Sequence, residues 1–405
     1  MLRAINNAKV VTPEAVIEGA SVVLEGGRIS GVSRRAEQGG ETLDAGGRYV
    51  LPGLVDLHSD AIEKQLAPRP GVELPPEVAF LEMDRYFATS GVTTGFHALS
   101  FMEGKGRSME RARRLCGAVV RFRGEGLVRH EIHLRCEIPK EGSVEAVEGA
   151  MRELPVGIVS IMDHTPGQGQ FRDLEWFRRY WTEDRGADEE EIAAAIAEAE
   201  LRDYSLAVDR VERLSRAAAQ HGAVFASHDD DTVDRVEMLA EQGVRISEFP
   251  INAESARRAK ELGIRVCMGA PNVVRGRSSG GNLGATEAVE RGIVDALCSD
   301  YHPPSMLHAA FKLARDRVLA LPAAVGLVTS GPVRAAGLPG PGVIREGHTA
   351  DLVLVGERLG IPAVTHTIIG GRVVSGASPD GYASIRPRIA EQRGLPASRK
   401  PSITP

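Results

Sequence analysis

The stretch Leu51-Pro52-Gly53-Leu54-Val55-Asp56-Leu57-His58-Ser59-Asp60 decides the fold. Pro52 and Gly53 break what precedes them, residues 54–57 form a short apolar strand, and His58 and Asp60 follow two positions apart. In a strand, residues i and i+2 leave from the same face. An imidazole and a carboxylate therefore project together from one strand end, a geometry that suits a divalent metal. The same pair also reads as a buried histidine beside an aspartate cap, and on its own it does not separate the two.

Working outward, apolar strand-like runs alternate with helical stretches at 54–58, 93–99, 131–138, 156–162, 223–227, 245–249, 265–268 and 296–299. Eight alternating β and α units predict a (β/α)8 barrel, an α/β fold whose active site lies at the C-terminal ends of the strands. Short strands between glycine turns occupy residues 1–50, and a matching block returns at 342–376. Two β-rich blocks at opposite ends of a chain can pair, so a small β-sandwich is expected from 1–50 and 342–376, flanking a catalytic barrel at 51–341. Residues 188–220 are charged, alanine-rich and apolar at helical spacing, which predicts one or two amphipathic helices packed on the barrel, with a lid or a homodimer contact as other uses. Residues 377–405, rich in Pro, Arg and Ser, read as an extended surface tail.

The bulk composition sets limits. With 405 residues, 42% hydrophobic and 26% charged, the chain can bury a substantial core. No apolar run approaches the ~20 residues of a membrane helix, and the N-terminus lacks signal-peptide features, so a cytoplasmic protein is expected. Cys116, Cys136, Cys267 and Cys298 form no C-x-x-C pair and are expected to pack rather than to ligate. A net charge of −6 and 4% aromatic residues argue against nucleic acid and anionic membranes as partners.

Reading each strand at its C-terminal end collects His58, Asp60, Glu137, His164, His228 and Asp300. One such residue is ordinarily a satisfied hydrogen-bonding group; six from five strands are hard to ascribe to packing. Mixed carboxylates and imidazoles match zinc, manganese or iron, zinc being the usual choice. The layout suggests one or two ions, with Glu137 bridging two, and Asp300 both a ligand and the base for an activated water. A cap on the next helix is the lesser alternative for Asp300. His97, His133 and His302 are expected as outer partners of the ligands, and His130 as a residue at the start of its strand.

An anion has an obvious place. After the seventh strand, residues 268–282 read M-G-A-P-N-V-V-R-G-R-S-S-G-G-N, offering Asn272, Arg275, Arg277, Ser278, Ser279 and Asn282 as donors where barrels often hold phosphate. Lys64, Arg69 and Gln168, with Gln170 and Arg172, face the same rim, and Arg135 shares a strand face with His133 and Glu137. Together they could neutralise a polyphosphate in spite of the acidic surface. The loop can also be read as merely flexible and polar.

These motifs resemble the amidohydrolase superfamily, and within it the diphosphatases of phosphonate catabolism. The carriers are the 51–60 stretch with A-P-R-P at 67–70, H-L-R-C-E at 133–137, S-I-M-D-H-T-P-G-Q at 160–168, A-S-H-D-D at 226–230, E-F-P at 248–250, M-G-A-P-N-V-V-R-G at 268–276 and C-S-D-Y at 298–301. The resemblance implies hydrolysis of α-D-ribose 1-methylphosphonate 5-triphosphate to the 5-phosphate and pyrophosphate, with His58, Asp60, Glu137, His164 and His228 as metal ligands and Asp300 as ligand and base. The superfamily's usual H-x-H is H-x-D here, and Glu137 stands where a bridging lysine is usual. Its histidine pair falls on the fourth and fifth strands rather than the fifth and sixth. Two rivals remain: hydrolysis of a cyclic amide or amine, which needs no dense donor loop, and a non-catalytic scaffold, which would not need all six candidate ligands.

Overall fold

A computed structural model describes residues 1–69, 71–104, 107–200, 204–278, 280–340 and 342–376. Ser279 and the tail at 377–405 lie outside the described residues.

Five short strands open the chain: β1 (Ala4–Val11), β2 (Val16–Glu25), β3 (Arg28–Ser33), β4 (Thr42–Asp44) and β5 (Tyr49–Pro52). Then follow the eight strands of a parallel sheet, β6 (Leu54–Ser59), β7 (Val92–Phe101), β8 (Arg129–Glu137), β9 (Val156–Met162), β10 (Val224–His228), β11 (Ile246–Glu248), β12 (Arg265–Gly269) and β13 (Ala296–Cys298). They pair strictly in sequence order. The sheet closes where the Asp300 N–H donates to the His58 carbonyl (2.9 Å) and the Asp60 N–H donates to the Asp300 carbonyl (2.8 Å). All eight runs expected from the sequence form barrel strands.

Helices cover the outside, so these strands are buried on both faces and read as continuous apolar runs. Leu57, Phe96, Ile158, Ala226, Ile246 and Cys267 fill the interior, and a larger core lies between strands and helices. Gly157 makes room for Phe96, since a Cβ there would lie 2.6 Å from the ring.

The last strands, β14 (Leu352–Arg358), β15 (Ile361–Ile369) and β16 (Arg372–Gly376), join the first five in a second sheet ordered β16-β15-β14-β5-β1-β2-β3, with β4 also on β1. The two ends of the chain meet at the antiparallel β5–β14 pair. Ile5, Val10, Val22, Leu352, Leu354 and Ile368 form this sheet's own core. Pro52 ends β5 and Gly53 turns the chain into the barrel, where a Cβ would lie 2.2 Å from Thr93 Oγ1.

The long connection after β9 carries helices Leu174–Arg185, Glu189–Glu200 and Tyr204–His221. The segment expected as one or two helices is thus two. Asp173 caps the first, accepting from the N–H groups of Glu175 and Trp176. Phe171, Phe177, Ala187 and Ile192 make a small core of their own beside the barrel, while Val211, Leu214 and Ala218 of the third helix rejoin the main one. No described helix is long and apolar enough to cross a membrane.

Candidate metal centre and active-site cavity

The six residues singled out at strand ends all stand at the C-terminal mouth. His58 is the penultimate residue of β6, Glu137 and His228 end β8 and β10, and Asp60, His164 and Asp300 follow β6, β9 and β13 by one or two residues. Asp60, His164, His228 and Asp300 line a cavity of about 490 Å³; His58 is buried, and Glu137 lines a neighbouring cavity of about 670 Å³ that His164 also lines.

Two glutamates organise the imidazoles. Glu137 holds His164 twice, accepting from the ring Nδ1–H at 2.6 Å and from the backbone N–H at 2.7 Å. Both its oxygens are engaged by one residue, and together they orient His164. Glu248, at the end of β11, accepts from His58 Nδ1–H at Oε1 (3.0 Å) and from His228 Nδ1–H at Oε2 (3.3 Å). Sequence reasoning missed Glu248 as a site residue, although E-F-P ends the sixth strand as the other candidates end theirs. His133 also belongs here: its Nδ1–H donates to the Leu57 carbonyl (2.9 Å), and Nε2 lies 3.8 Å from Glu248.

The electrostatics are those of a crowded anionic pocket. Burial would push Glu248 up, but His58 and His133 outweigh it and hold the carboxyl well below its usual range. Burial likewise works against Glu137, yet His164 brings it down to about 2. His58 is held above its ordinary value because Glu248 offsets burial, whereas burial pushes His228 down to about 3 and His133 to about 4. Asp229 is pushed up to about 7 by burial, and Asp300 to about 6 by burial and then by Asp60. Carboxyl groups forced upward by burial are what a bound cation relieves.

The residues fit a divalent metal. Donor atoms of His58, His228 and Glu248, and of His164, His228 and Asp229, lie within 4.8 Å of one another in each group. Asp60 Oδ1 and Asp229 Oδ2 are buried with no hydrogen-bond partner among the described residues. Buried carboxylate oxygens are costly in that state unless something cationic faces them.

The same cavity is rich in donors. Lys64, Arg135, Asn272, Arg275, Ser278 and Asn282, all expected at the site, line it. Arg69 and Arg277 are exposed outside the lining and Gln168 is also off it, with Gln170 there in its stead. The Arg69 backbone pairs with Val72 in an isolated antiparallel bridge. Arg107, Trp176 and Tyr180 were not legible as lining residues. Glu63 holds Arg107 in place, accepting from its Nε–H at 3.2 Å and from the Ser100 N–H at 3.0 Å.

Two of the expected outer partners lie elsewhere. His97 turns from the mouth toward helix Pro76–Ser90, its Nε2–H donating to His130 Nδ1 (2.9 Å), and the His130 Nε2–H donating to Asp84 (2.9 Å). His302 is exposed in the turn after Asp300. His130 is the second residue of β8.

The profile of the amidohydrolase family matches residues 182–374. Over 364 residues the chain is 36% identical to α-D-ribose 1-methylphosphonate 5-triphosphate diphosphatase of Escherichia coli (strain K12), covering 86% of this chain and 94% of that protein. The chain belongs to the amidohydrolase family. Other solved proteins share its fold at low identity. 5-Methylcytosine deaminase from Klebsiella pneumoniae superposes with a TM-score of 0.64 at 15% identity, covering 93% of this chain and 98% of that one. The β-aspartyl dipeptidase of Fervidobacterium islandicum AW-1 gives 0.60 at 18%, covering 93% and 97%. The amidohydrolase family implies a divalent metal, and this chain has grouped His, Glu and Asp donors that could hold one.

Proposed function

We propose that this amidohydrolase is a metal-dependent diphosphatase that hydrolyses α-D-ribose 1-methylphosphonate 5-triphosphate to the 5-phosphate and pyrophosphate in phosphonate catabolism. The observation that carries the reading is Arg135. Its guanidinium is buried, 6% exposed, donates from Nε to Met162 Sδ and forms no ion pair with a described carboxylate. It faces the cavity that the metal-binding side chains also line. A buried, unpaired arginine is costly unless a ligand supplies the anion, and a phosphate supplies it in bidentate geometry. The likeness to the Escherichia coli diphosphatase supports the same substrate.

A divalent ion, for which zinc is proposed, would be held by His58, Asp60, His164, His228 and Asp300 and would supply Lewis-acid activation and neutralisation of phosphate charge. The chain supplies the rest. Asp300 takes the proton of the attacking water as the new bond to the α-phosphorus forms, and returns it as the bond to pyrophosphate breaks. Lys64, Arg107 and Arg275 hold the departing pyrophosphate where charge develops. Asn272, Ser278 and Asn282 orient the sugar phosphate. Four buried, unbridged cysteines support a reducing, cytoplasmic setting.

The test is product analysis with metal-loaded protein. Ribose 1-methylphosphonate 5-triphosphate should yield pyrophosphate and the 5-phosphate in equal amounts. Ammonia release from cyclic amides or amines, with no pyrophosphate from the triphosphate, would reject the reading.

A further inference from the structure

Asp229 directly follows His228 at the end of β10, yet both line the same cavity. Consecutive strand residues ordinarily point to opposite faces. Asp229 escapes the alternation because its φ is +55°, the left-handed region that non-glycine residues rarely occupy. The turn is held firmly: the Asp229 N–H donates to the Glu248 carbonyl (2.9 Å), and Gly169 packs against the Asp229 backbone and Cβ. Strain of this kind persists where the surroundings over-determine it. The result is a residue 9% exposed whose Oδ2 is buried with no hydrogen-bond partner among the described residues.

That oxygen sits 3.7 Å from His228 Nε2 and 3.8 Å from His164 Nε2. Both distances are too long for a hydrogen bond. They approach the roughly 3.4 Å that separates two ligands of a tetrahedral ion with bonds of about 2.1 Å. The other nitrogen of each ring is already engaged, His164 Nδ1 on Glu137 and His228 Nδ1 on Glu248. Each glutamate thereby fixes the tautomer that leaves the Nε2 lone pair free.

We propose that Asp229 is a direct metal ligand, completing a site with His164 Nε2 and His228 Nε2, and that Glu137 and Glu248 are positioning residues that aim the two imidazoles at it. This rests on the metal-dependent reading above and extends it to two carboxylates, Asp229 and Glu248, that were not among the six strand-end candidates.

The experiment is cobalt(II) titration of the full chain stripped of metal, read by visible absorption and by bound metal per chain, with Asp229→Asn, Asp229→Gly and Glu248→Gln. Glycine tolerates the left-handed backbone, so the second variant guards against misfolding, and melting of the metal-free forms checks it. For both Asp229 variants the expected result is at least ~100-fold weaker cobalt binding with an altered absorption envelope. Glu248→Gln should bind about 10- to 100-fold more weakly while keeping the wild-type envelope. Wild-type affinity and spectrum in both Asp229 variants overturns the assignment and leaves the diphosphatase reading standing. Cobalt binding that depends on Asp229 in a protein releasing no pyrophosphate does the reverse, and a wild-type chain that takes up no cobalt overturns both.

Discussion

Glu137 closes on His164 with both of its oxygens, Oε2 on the ring Nδ1–H at 2.6 Å and Oε1 on the backbone N–H at 2.7 Å. One carboxylate thus fixes where the chain leaves β9, which way the imidazole faces and which nitrogen carries its proton. Glu137→Gln keeps the volume but offers one acceptor where two are needed. Its amide NH2 must face either a ring N–H or a backbone N–H. Zinc affinity, measured by competition with a chromophoric chelator, is expected to fall about 10- to 100-fold, with little change in the melting of the metal-free protein. Unchanged zinc affinity would show that His164 needs no such hold.

Arg135 gives the second expectation. Removing a charge-assisted contact to phosphate forfeits about 1.5–3 kcal/mol, or roughly 10- to 100-fold. Arg135→Ala should lower kcat/KM for pyrophosphate release by at least that factor and weaken inhibition by free pyrophosphate in parallel. Arg135→Lys should recover only part, because an ammonium cannot present the planar fork. Steady-state kinetics at fixed ionic strength decide it, and an alanine variant with wild-type kcat/KM would remove Arg135 from the phosphate site.

Metal removal supplies the third. A ligand that binds only the folded state stabilises it by about 2.7 kcal/mol at a hundred times its dissociation constant. Dialysis against a chelator should abolish pyrophosphate release and lower Tm, and added zinc should restore both. A Tm indifferent to chelation would mean that the donors at the barrel mouth bind no ion of consequence.

The His97–His130–Asp84 chain predicts a dependence on acidity away from the active site. Burial, and then His130, hold His97 well below its ordinary value of 6.5. The folded state therefore binds fewer protons than the unfolded one as the pH falls through that range. Stability is complete above about pH 6.5 and declines below it, by up to about 1.4 kcal/mol per pH unit for one proton. His97→Gln should be less stable at neutral pH but flatter between pH 7 and 5, as read from urea midpoints. An equal slope in both proteins would contradict the assignment.

The small core around Phe177 separates the helical insertion from the barrel. Phe177→Ala deletes a fully buried ring, which ordinarily costs about 3–5 kcal/mol. Trp176 and Tyr180 on the same helix line the cavity. The expected outcome is a raised KM and faster limited proteolysis within the insertion, with the main melting transition little shifted. Collapse of the whole protein would show the insertion to be integral to the barrel.

Much of this was readable in the chain because the barrel strands are short apolar runs ending in polar residues. Residues 54–58, 156–162 and 265–268 each became a strand with boundaries shifted by at most one residue. β4, three residues long, offered no comparable signal. The candidate ligands followed from strand ends for the same reason. Asp229 did not, because period-two reasoning sends it to the opposite face, and only the positive φ brings it back. Arg107 lies on a loop fixed by an ion pair with Glu63, 44 positions away in sequence, which no local pattern encodes. Arg69 and Arg277 show the converse: a basic residue in a suggestive motif can still point into solvent.

The seam between β6 and β13 sets a timetable for assembly. His58 and Asp60 emerge early in synthesis, but Asp300, which clasps both through backbone hydrogen bonds, arrives some 240 residues later. A growing polypeptide that lacks the eighth strand has loose donors and no finished mouth. Only the completed cylinder brings the backbones of His58, Asp60 and Asp300 into register at one mouth.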